Sequence, residues 1–211
     1  MNRNQKKFYR HSIRLKNYNY SEKGAYFITI CAHNKECILG EVVNGEMRLN
    51  KYGKIVRYVL SNLPSQNQNI KLDTFVIMPN HIHCILFIVG ARFIVPNKQR
   101  SDKSKPYIRN NPMVISEITL GAIVRRFKAK TCYLINKSGF DKSGFDKSNP
   151  YIWQRNYYEH IIRDENELNK IREYIINNPL KWQFDRENIN CIYNEDYEKQ
   201  WHDLEVKIYG K

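Results

Sequence analysis

KLDTFVIMPNHIHCILFIV, residues 71–89, is the stretch on which the fold turns. Two runs of apolar and β-branched residues flank Met78-Pro79-Asn80, so the segment reads as two strands folded about that turn. The return strand then begins at His81. Side chains alternate along a strand, which sends His81 and His83 out of one face and Ile82 out of the other. Their Cα atoms would lie roughly 6.5–7 Å apart, within reach of one shared metal ion. Beyond the histidines both faces of the strand are apolar, the mark of a central strand covered on two sides.

Working outward, AYFITICAHN (25–34) is aromatic and β-branched and predicts another strand. GEVVNGEMRLN follows, and its Asn44-Gly45 dipeptide supplies the positive φ values of a tight hairpin. Tyr52, Ile55, Val56, Val59, Leu60 and Leu63 recur at helical spacing, giving a one-faced helix that stops near Pro64. After a polar loop at 96–112, a second helix is expected from about Ser116. Leu120, Ile123, Val124, Phe127 and Leu134 form its buried side, and Arg125, Arg126, Lys128 and Lys130 its other side. KSGFDKSGFDKS repeats a five-residue unit in tandem and reads as an insertion (137–149) without a core role. YIWQRNYYEHIIRD (151–164) alternates aromatic and basic residues like a strand. Asp164 with Glu167 makes a capping box for a last helix, ended by Pro179. Antiparallel strands with two or three helices make an α+β sandwich of sheet and helices.

Composition narrows the function. The 211 residues carry 42% hydrophobic content, enough for one well-cored domain. No apolar run is long enough for a membrane helix, and the N-terminal stretch lacks a signal-peptide core. Five scattered cysteines without a C-x-x-C pair point to reduced thiols and a cytoplasmic setting. Thirty-five basic against 21 acidic residues give a formal charge of +14, suited to a polyanion such as nucleic acid. The first twenty residues hold Arg3, Lys6, Lys7, Arg10, Arg14 and Lys16 and no acid. Fifteen tyrosines and three tryptophans add faces on which unpaired bases stack. A merely solubilising basic surface is the plainer alternative.

In the last helix Leu168, Ile171 and Ile175 define the buried stripe. Tyr174 and Asn178, four residues apart, are neighbours on its flank. If that flank overlies His81 and His83, a phenol and a carboxamide join the two imidazoles. A tyrosine packing on the core and an asparagine capping the helix would account for the same residues.

MPNHIHCILFI resembles the HUH motif (His, hydrophobic, His) of single-tyrosine HUH transposases, and the chain is most similar to the REP-associated tyrosine transposases. The resemblance runs from about Tyr20 to Trp182 through GAYFITICAHN, GEVVNGEMRLNKYGKIV, FVIMPNHIH, IWQRNYYEHIIRDENEL and YIINNPLK. It implies a ferredoxin-like antiparallel sheet with the HUH strand at its centre. It implies His81 and His83 as metal ligands, Tyr174 as nucleophile and Asn178 as the third, amide-bearing ligand. Two histidines with oxygen donors suit Mg²⁺ or Mn²⁺. The implied reaction is cleavage and rejoining of single-stranded or hairpin DNA through a 5′-phosphotyrosine intermediate.

Arg125, Arg126, Lys128 and Lys130 on the second helix, with Trp153, Arg155, Tyr157 and Arg163 near the last strand, are the expected DNA contacts. Tyr157 and Tyr158 are rival nucleophiles; His160 and His33 read as structural or substrate-contacting. The expected organisation is a basic arm (1–20), a transposase domain (21–190) with insertions at 96–112 and 137–149, and a C-terminal extension (191–211). The protein is expected in the cytoplasm, at the nucleoid through DNA, as a monomer or homodimer. Two other functions remain open: a catalytically silent nucleic-acid-binding protein on the same fold, and a metal-dependent hydrolase of small phosphate esters.

Overall fold

The structure, a computed structural model, describes residues 22–89, 119–139, 151–192, 194–196, 199, 204 and 206. The basic arm, the 96–112 loop, the tandem unit from residue 140 onward and most of the C-terminal extension lie outside these residues. Strand β1 (Gly24–Cys31) leads through a 3₁₀ turn (His33–Lys35) to the hairpin β2 (Gly40–Val43) and β3 (Glu46–Leu49). Helix α1 (Lys51–Ser61), a single-turn helix α2 (Leu63–Gln66) and strands β4 (Ile70–Ile77) and β5 (His81–Ile88) follow. Helix α3 (Leu120–Lys137), strand β6 (Tyr158–Ile162), helix α4 (Glu165–Asn177) and a 3₁₀ segment (Pro179–Phe184) complete the order.

The main sheet runs β4-β5-β1-β6, every neighbouring pair antiparallel. With α1 connecting β1 to β4 and α3 connecting β5 to β6, this is the split β-α-β, ferredoxin-like arrangement that the family resemblance implies. The histidine strand is central, flanked by β4 and β1. Alternation then divides its residues. Ile82, Cys84, Leu86 and Ile88 join Ile28 and Ile30 of β1 beneath Val56, Val59 and Leu60 of α1 and Ile123, Val124 and Phe127 of α3. Ile85, with Ala25 and Phe27, faces the opposite side, where Leu168, Ile171, Tyr174 and Ile175 of α4 cover it. His81 and His83 share this second face. Helix α4 is thus an addition to the two-layer fold, and its layer makes the site.

Local signals explain most boundaries. Asn44 (φ 53°) and Gly45 (φ 77°) both take the left-handed region that the two-residue hairpin requires. Asn50 caps α1 by accepting from the backbone N–H of Tyr52 and Gly53 at 2.9 and 3.0 Å. Asp164 caps α4 through Glu167 N at 2.8 Å, as expected, while the Glu167 carboxylate turns back to Arg163 N and His160.

Several expectations need correction. The first strand ends at Cys31, short of residue 34, because Asn34 and Lys35 adopt φ of 51° and 55°. Helix α1 ends at Ser61, and Pro64 opens α2, where its missing N–H removes no helical bond. In α3 it is Ile135 that is buried and Leu134 that is half-buried, since Phe127, Thr131 and Ile135 keep the four-residue step of the covered face. The start expected near Ser116 lies outside the described residues; Thr119 caps the helix at Leu120. Residues 151–157 are no strand. Trp153 forms an isolated bridge to Ala32, and the Lys128 ammonium gathers the carbonyls of Gln154 and Asn156 at 2.7 and 2.8 Å. The backbone bonds Gln154 N to Cys31 O and His33 N to Ile152 O, both 2.9 Å, go no further than this bridge, and the next carbonyls are satisfied by Lys128.

Candidate metal centre

His81 and His83 are fully buried and lean on one another, with Nε2 atoms 2.9 Å apart. Each ring is held at its other nitrogen. His81 Nδ1 lies 2.8 Å from Asn80 Oδ1, and His83 Nδ1 lies 2.8 Å from Thr29 Oγ1, directly opposite on β1. Phe27 stacks on His83 with centroids 5.3 Å apart. Burial holds His81 down to a pKa of about 3, helped by the Lys35 charge. Burial also holds His83 well below the usual imidazole range, seconded by His81 and opposed by Asp185. Both rings are neutral at pH 7, the form that binds metals.

Helix α4 brings Tyr174 to this pair. Its ring is 5.3 Å from His83 and meets Phe27 edge-on at 6.1 Å. One turn later Asn178 forms the C-cap of α4, 2% exposed, with neither amide atom hydrogen-bonded among the described residues. The chain then doubles back over His81. Trp182 lies 6.0 Å from its ring, and Asp185, 2% exposed, sets Oδ2 at 3.8 Å from His81 Nε2. Burial raises the Asp185 pKa. His83, the Glu187 N–H, Asn178 and Lys35 pull it back. Asn178 therefore lies close enough to favour the carboxylate, although not in good hydrogen-bond geometry.

The returning segment is clamped. Asp185 Oδ1 accepts from Glu187 N at 2.7 Å. Asn80 donates to the carbonyls of Lys35 and Glu187 at 2.9 and 2.7 Å. The Glu187 carboxylate accepts from the Cys31 thiol at 3.2 Å and pairs with Lys35 at 3.3 Å. Burial and that neighbouring carboxylate push the Cys31 thiol far up, so it stays a protonated donor.

These donors fit a divalent cation. One ligand atom each from His81, His83 and Asp185 lies within 4.8 Å of the others, all buried. Asp185 Oδ2 and Asn178 Oδ1 lack a hydrogen-bond partner among the described residues, and buried oxygens left so call for an ion or a water. Two neutral imidazoles and a carboxylate suit several transition metals, with an amide oxygen in reserve.

Comparison with known proteins gives one near relative. An uncharacterized protein of Haemophilus influenzae (strain KW20 / Rd) is 43% identical over 183 residues, spanning 84% of this chain and 92% of the relative. The chain belongs to that protein's family. No family model matches it. Among solved structures, it is similar to a REP-associated tyrosine transposase bound to a REP hairpin, at 17% identity and a TM-score of 0.48. That match covers 82% of this chain and 74% of the other. A candidate transposase from Deinococcus radiodurans R1 matches at 16% identity and a TM-score of 0.42, covering 78% and 95%. Identities and scores this low leave the chemistry to be read from the site's own geometry.

The structure brings together His81, His83, Tyr174 and Asn178. It separates them from most of the expected DNA contacts. Arg125, Arg126 and Lys130 are exposed, but on α3, across the sheet from the histidines. Lys128 is spent on backbone carbonyls, and burial lowers its pKa to about 8. Trp153 is a correction: 4% exposed, with Nε1 donating to Thr131 at 2.8 Å, it packs beneath α3 and offers no face to a base. Arg155 and Tyr157 line an open cleft of about 240 Å³ with Gln154, Asn156 and Tyr158. Tyr158 pairs with Thr29 and so shares the histidine face. Arg163 is exposed just before α4. His160 pairs with Glu167 at 3.0 Å, a structural role, and His33 holds the bridge to Ile152 through its backbone.

Three participants escape the sequence reading: Asp185, Asn80 and Thr29. Asn80 stands inside the quoted MPNHIH and was legible as a neighbour. Thr29 needs the β1–β5 register. Asp185 carries no sequence signal; the path of the chain after α4 alone brings it in.

Proposed function

We propose that this protein is a metal-dependent DNA transposase, a tyrosine nuclease that cuts and rejoins single-stranded or hairpin DNA. The observation that carries the reading is Tyr174 beside His83, in a buried group that also holds oxygens of Asn178 and Asp185 without a hydrogen-bond partner among the described residues. Donor chemistry alone would serve many metal enzymes. A phenol set against the donors adds a nucleophile, and a charge of +14 favours a polyanionic substrate.

His81, His83 and Asp185 would hold Mg²⁺ or Mn²⁺, with Asn178 as a fourth donor. Bound there, the ion would offset charge developing on the oxygens of the scissile phosphate. Tyr174 attacks phosphorus; the phenol loses its proton, the bond from its oxygen to phosphorus forms, and the bond to the 3′-oxygen breaks. The 3′-oxygen takes up a proton, and the 5′-phosphate stays on Tyr174. One phosphodiester replaces another, so a second 3′-hydroxyl reverses the exchange without ATP. Phe27 and the apolar residues of α4 pack beside the donors and hold the Tyr174 ring against His83.

The test is a denaturing gel after incubation with hairpin-bearing single-stranded oligonucleotides in Mn²⁺ or Mg²⁺. A covalent adduct is expected from the wild type and none from Tyr174→Phe. An adduct undiminished in Tyr174→Phe refutes the nucleophile, with Tyr158 next in line on the same face. No adduct from any strand, with DNA affinity indifferent to metal, would favour the catalytically silent alternative.

A further inference from the structure

Asn80 and Thr29 treat the two histidines differently. The Asn80 amide nitrogen has two hydrogens, and both meet carbonyl oxygens, of Lys35 at 2.9 Å and Glu187 at 2.7 Å. A carbonyl only accepts, so the chemistry itself assigns which end of the amide is nitrogen. The other end, Oδ1, therefore faces His81 Nδ1 at 2.8 Å, and it too only accepts. His81 must carry its proton on Nδ1, which leaves Nε2 with a bare lone pair. No rotation offers an escape, because Asn80 is fully buried with all three of these bonds engaged.

His83 has no such constraint. Its Nδ1 meets a hydroxyl, Thr29 Oγ1 at 2.8 Å, which donates or accepts by rotating. The 2.9 Å contact between the two Nε2 atoms is a hydrogen bond only when His83 supplies the hydrogen, since His81 has none there. Thr29 then donates to His83 Nδ1. For both Nε2 lone pairs to meet a cation, His83 must give up the Nε2 proton to water and take one from water on Nδ1, while Thr29 keeps its own hydrogen and turns to accept. The ring ends with the single proton it began with.

We propose that Asn80 is the positioning residue that locks His81 as the Nδ1–H tautomer and ties the Asp185 segment to it, while Thr29 lets His83 change tautomer as the cation enters. This rests on the reading of His81, His83 and Asp185 as a divalent-metal centre. Asn80 thus serves two ligand-bearing segments at once: it precedes His81 in the chain and grips Glu187, 107 residues on, two positions past Asp185. The order of events follows. His81 is ready before metal arrives; His83 is the gate.

The experiment uses the full chain with ¹⁵N-labelled histidine, read by long-range ¹H–¹⁵N NMR, first metal-free and then with Mg²⁺. His81 is expected as Nδ1–H in both states, and His83 as Nε2–H without Mg²⁺ and Nδ1–H with it. In parallel, Mn²⁺ affinity is read by electron paramagnetic resonance. Thr29→Val keeps the shape of the strand residue and removes the hydroxyl, so Mn²⁺ should bind about 10–100-fold more weakly, as for other orienting partners of metal-bound histidines. Thr29→Ser restores the rotor and should restore the affinity. Asn80→Ala, if it folds, should leave His81 in a mixture of tautomers. His81 found as Nε2–H in the wild type, an unchanged His83 on saturation with Mg²⁺, or Thr29→Val equal to wild type in Mn²⁺ affinity each overturns the proposal. Wild type that binds neither ion sinks the metal reading and the His83 gate with it. The metal-free spectrum still decides what Asn80 does to His81.

Discussion

Lowering the pH from 7 to 5 in the absence of metal should weaken the fold steeply, and the two buried histidines set the amount. In the unfolded chain each imidazole titrates near 6.5. In the folded protein His81 stays neutral down to about 3 and His83 is likewise held well below its ordinary range, both chiefly by burial. Between the folded and unfolded pKa values the unfolded state binds the extra proton, so stability rises with pH and is lost as pH falls. From pH 7 to 5 an unfolded imidazole gains about 2 kcal/mol of protonation free energy that the folded one cannot match. The pair therefore accounts for roughly 4 kcal/mol, a large part of the 5–15 kcal/mol typical of a whole domain. Asp185 works the other way: its folded pKa is raised, so it favours the folded state as pH falls, and Asp185→Asn removes that offset. The assay is urea unfolding in EDTA at pH 7, 6 and 5 for wild type, His81→Gln, His83→Gln and Asp185→Asn. Each histidine variant should lose about 2 kcal/mol of the wild-type pH dependence. Equal pH dependence in wild type and both variants would show that the imidazoles are not buried neutral, and the centre as described would fall.

Other outcomes follow from the same geometry. Mn²⁺ at about 100 times its dissociation constant should add about 2.7 kcal/mol of stability, read as a rise in Tm, and His81→Gln or Asp185→Ala should abolish the rise. Arg155→Glu, beside the open cleft, should weaken oligonucleotide binding and flatten its salt dependence. Arg125→Glu, on the far layer, should do so less; the reverse ranking would place the strand on the α3 side. Arg172 reaches from α4 to Asp73 on β4 at 2.7 and 3.3 Å. Both groups are partly exposed, so Arg172→Ala should cost about 1 kcal/mol or less, while slowing adduct formation because α4 is less firmly docked. Unchanged amide exchange in α4 of that variant would remove the latch from the account.

Helix α4 is where fold and chemistry meet. The sheet with α1 and α3 is a complete two-layer structure, and its second face would otherwise expose Phe27, Ile85 and the histidines. Leu168, Ile171 and Ile175 close that face, with Arg172–Asp73 and His160–Glu167 fastening two flanks of the helix. Packing alone would be served by any apolar residue at 174. A tyrosine there, followed by Asn178 one turn later, places polar groups where the apolar contact gives out. Among the described residues no helix is long and apolar enough to cross a membrane.

How much was legible beforehand differs by element. The run 71–89 determined two strands, a turn and a common face for His81 and His83, because strand alternation is a local rule that no packing alters. Asn44-Gly45, the α1 stripe and the Asp164–Glu167 cap were equally local. At 151–157 composition imitates a strand, because aromatic and basic residues alternate there, yet Trp153 packs in the core and Lys128 binds the carbonyls of Gln154 and Asn156. The same burial removed Trp153 from the candidate DNA contacts, and the position of α3 carried its arginines to the far layer.

Sequence by itself determined the sheet, the pair of histidines and the pairing of Tyr174 with Asn178 along one helix. Tertiary structure alone decided that these meet, that Thr29 stands opposite His83, and that Asp185 returns to complete the donor set. The physical reason is range. Turn chemistry, caps and side-chain periodicity act within a few residues. The docking of α4 on the second face of the sheet, and the return of the chain across His81, are set by apolar burial and by Asn80's hydrogen bonds to Lys35 and Glu187.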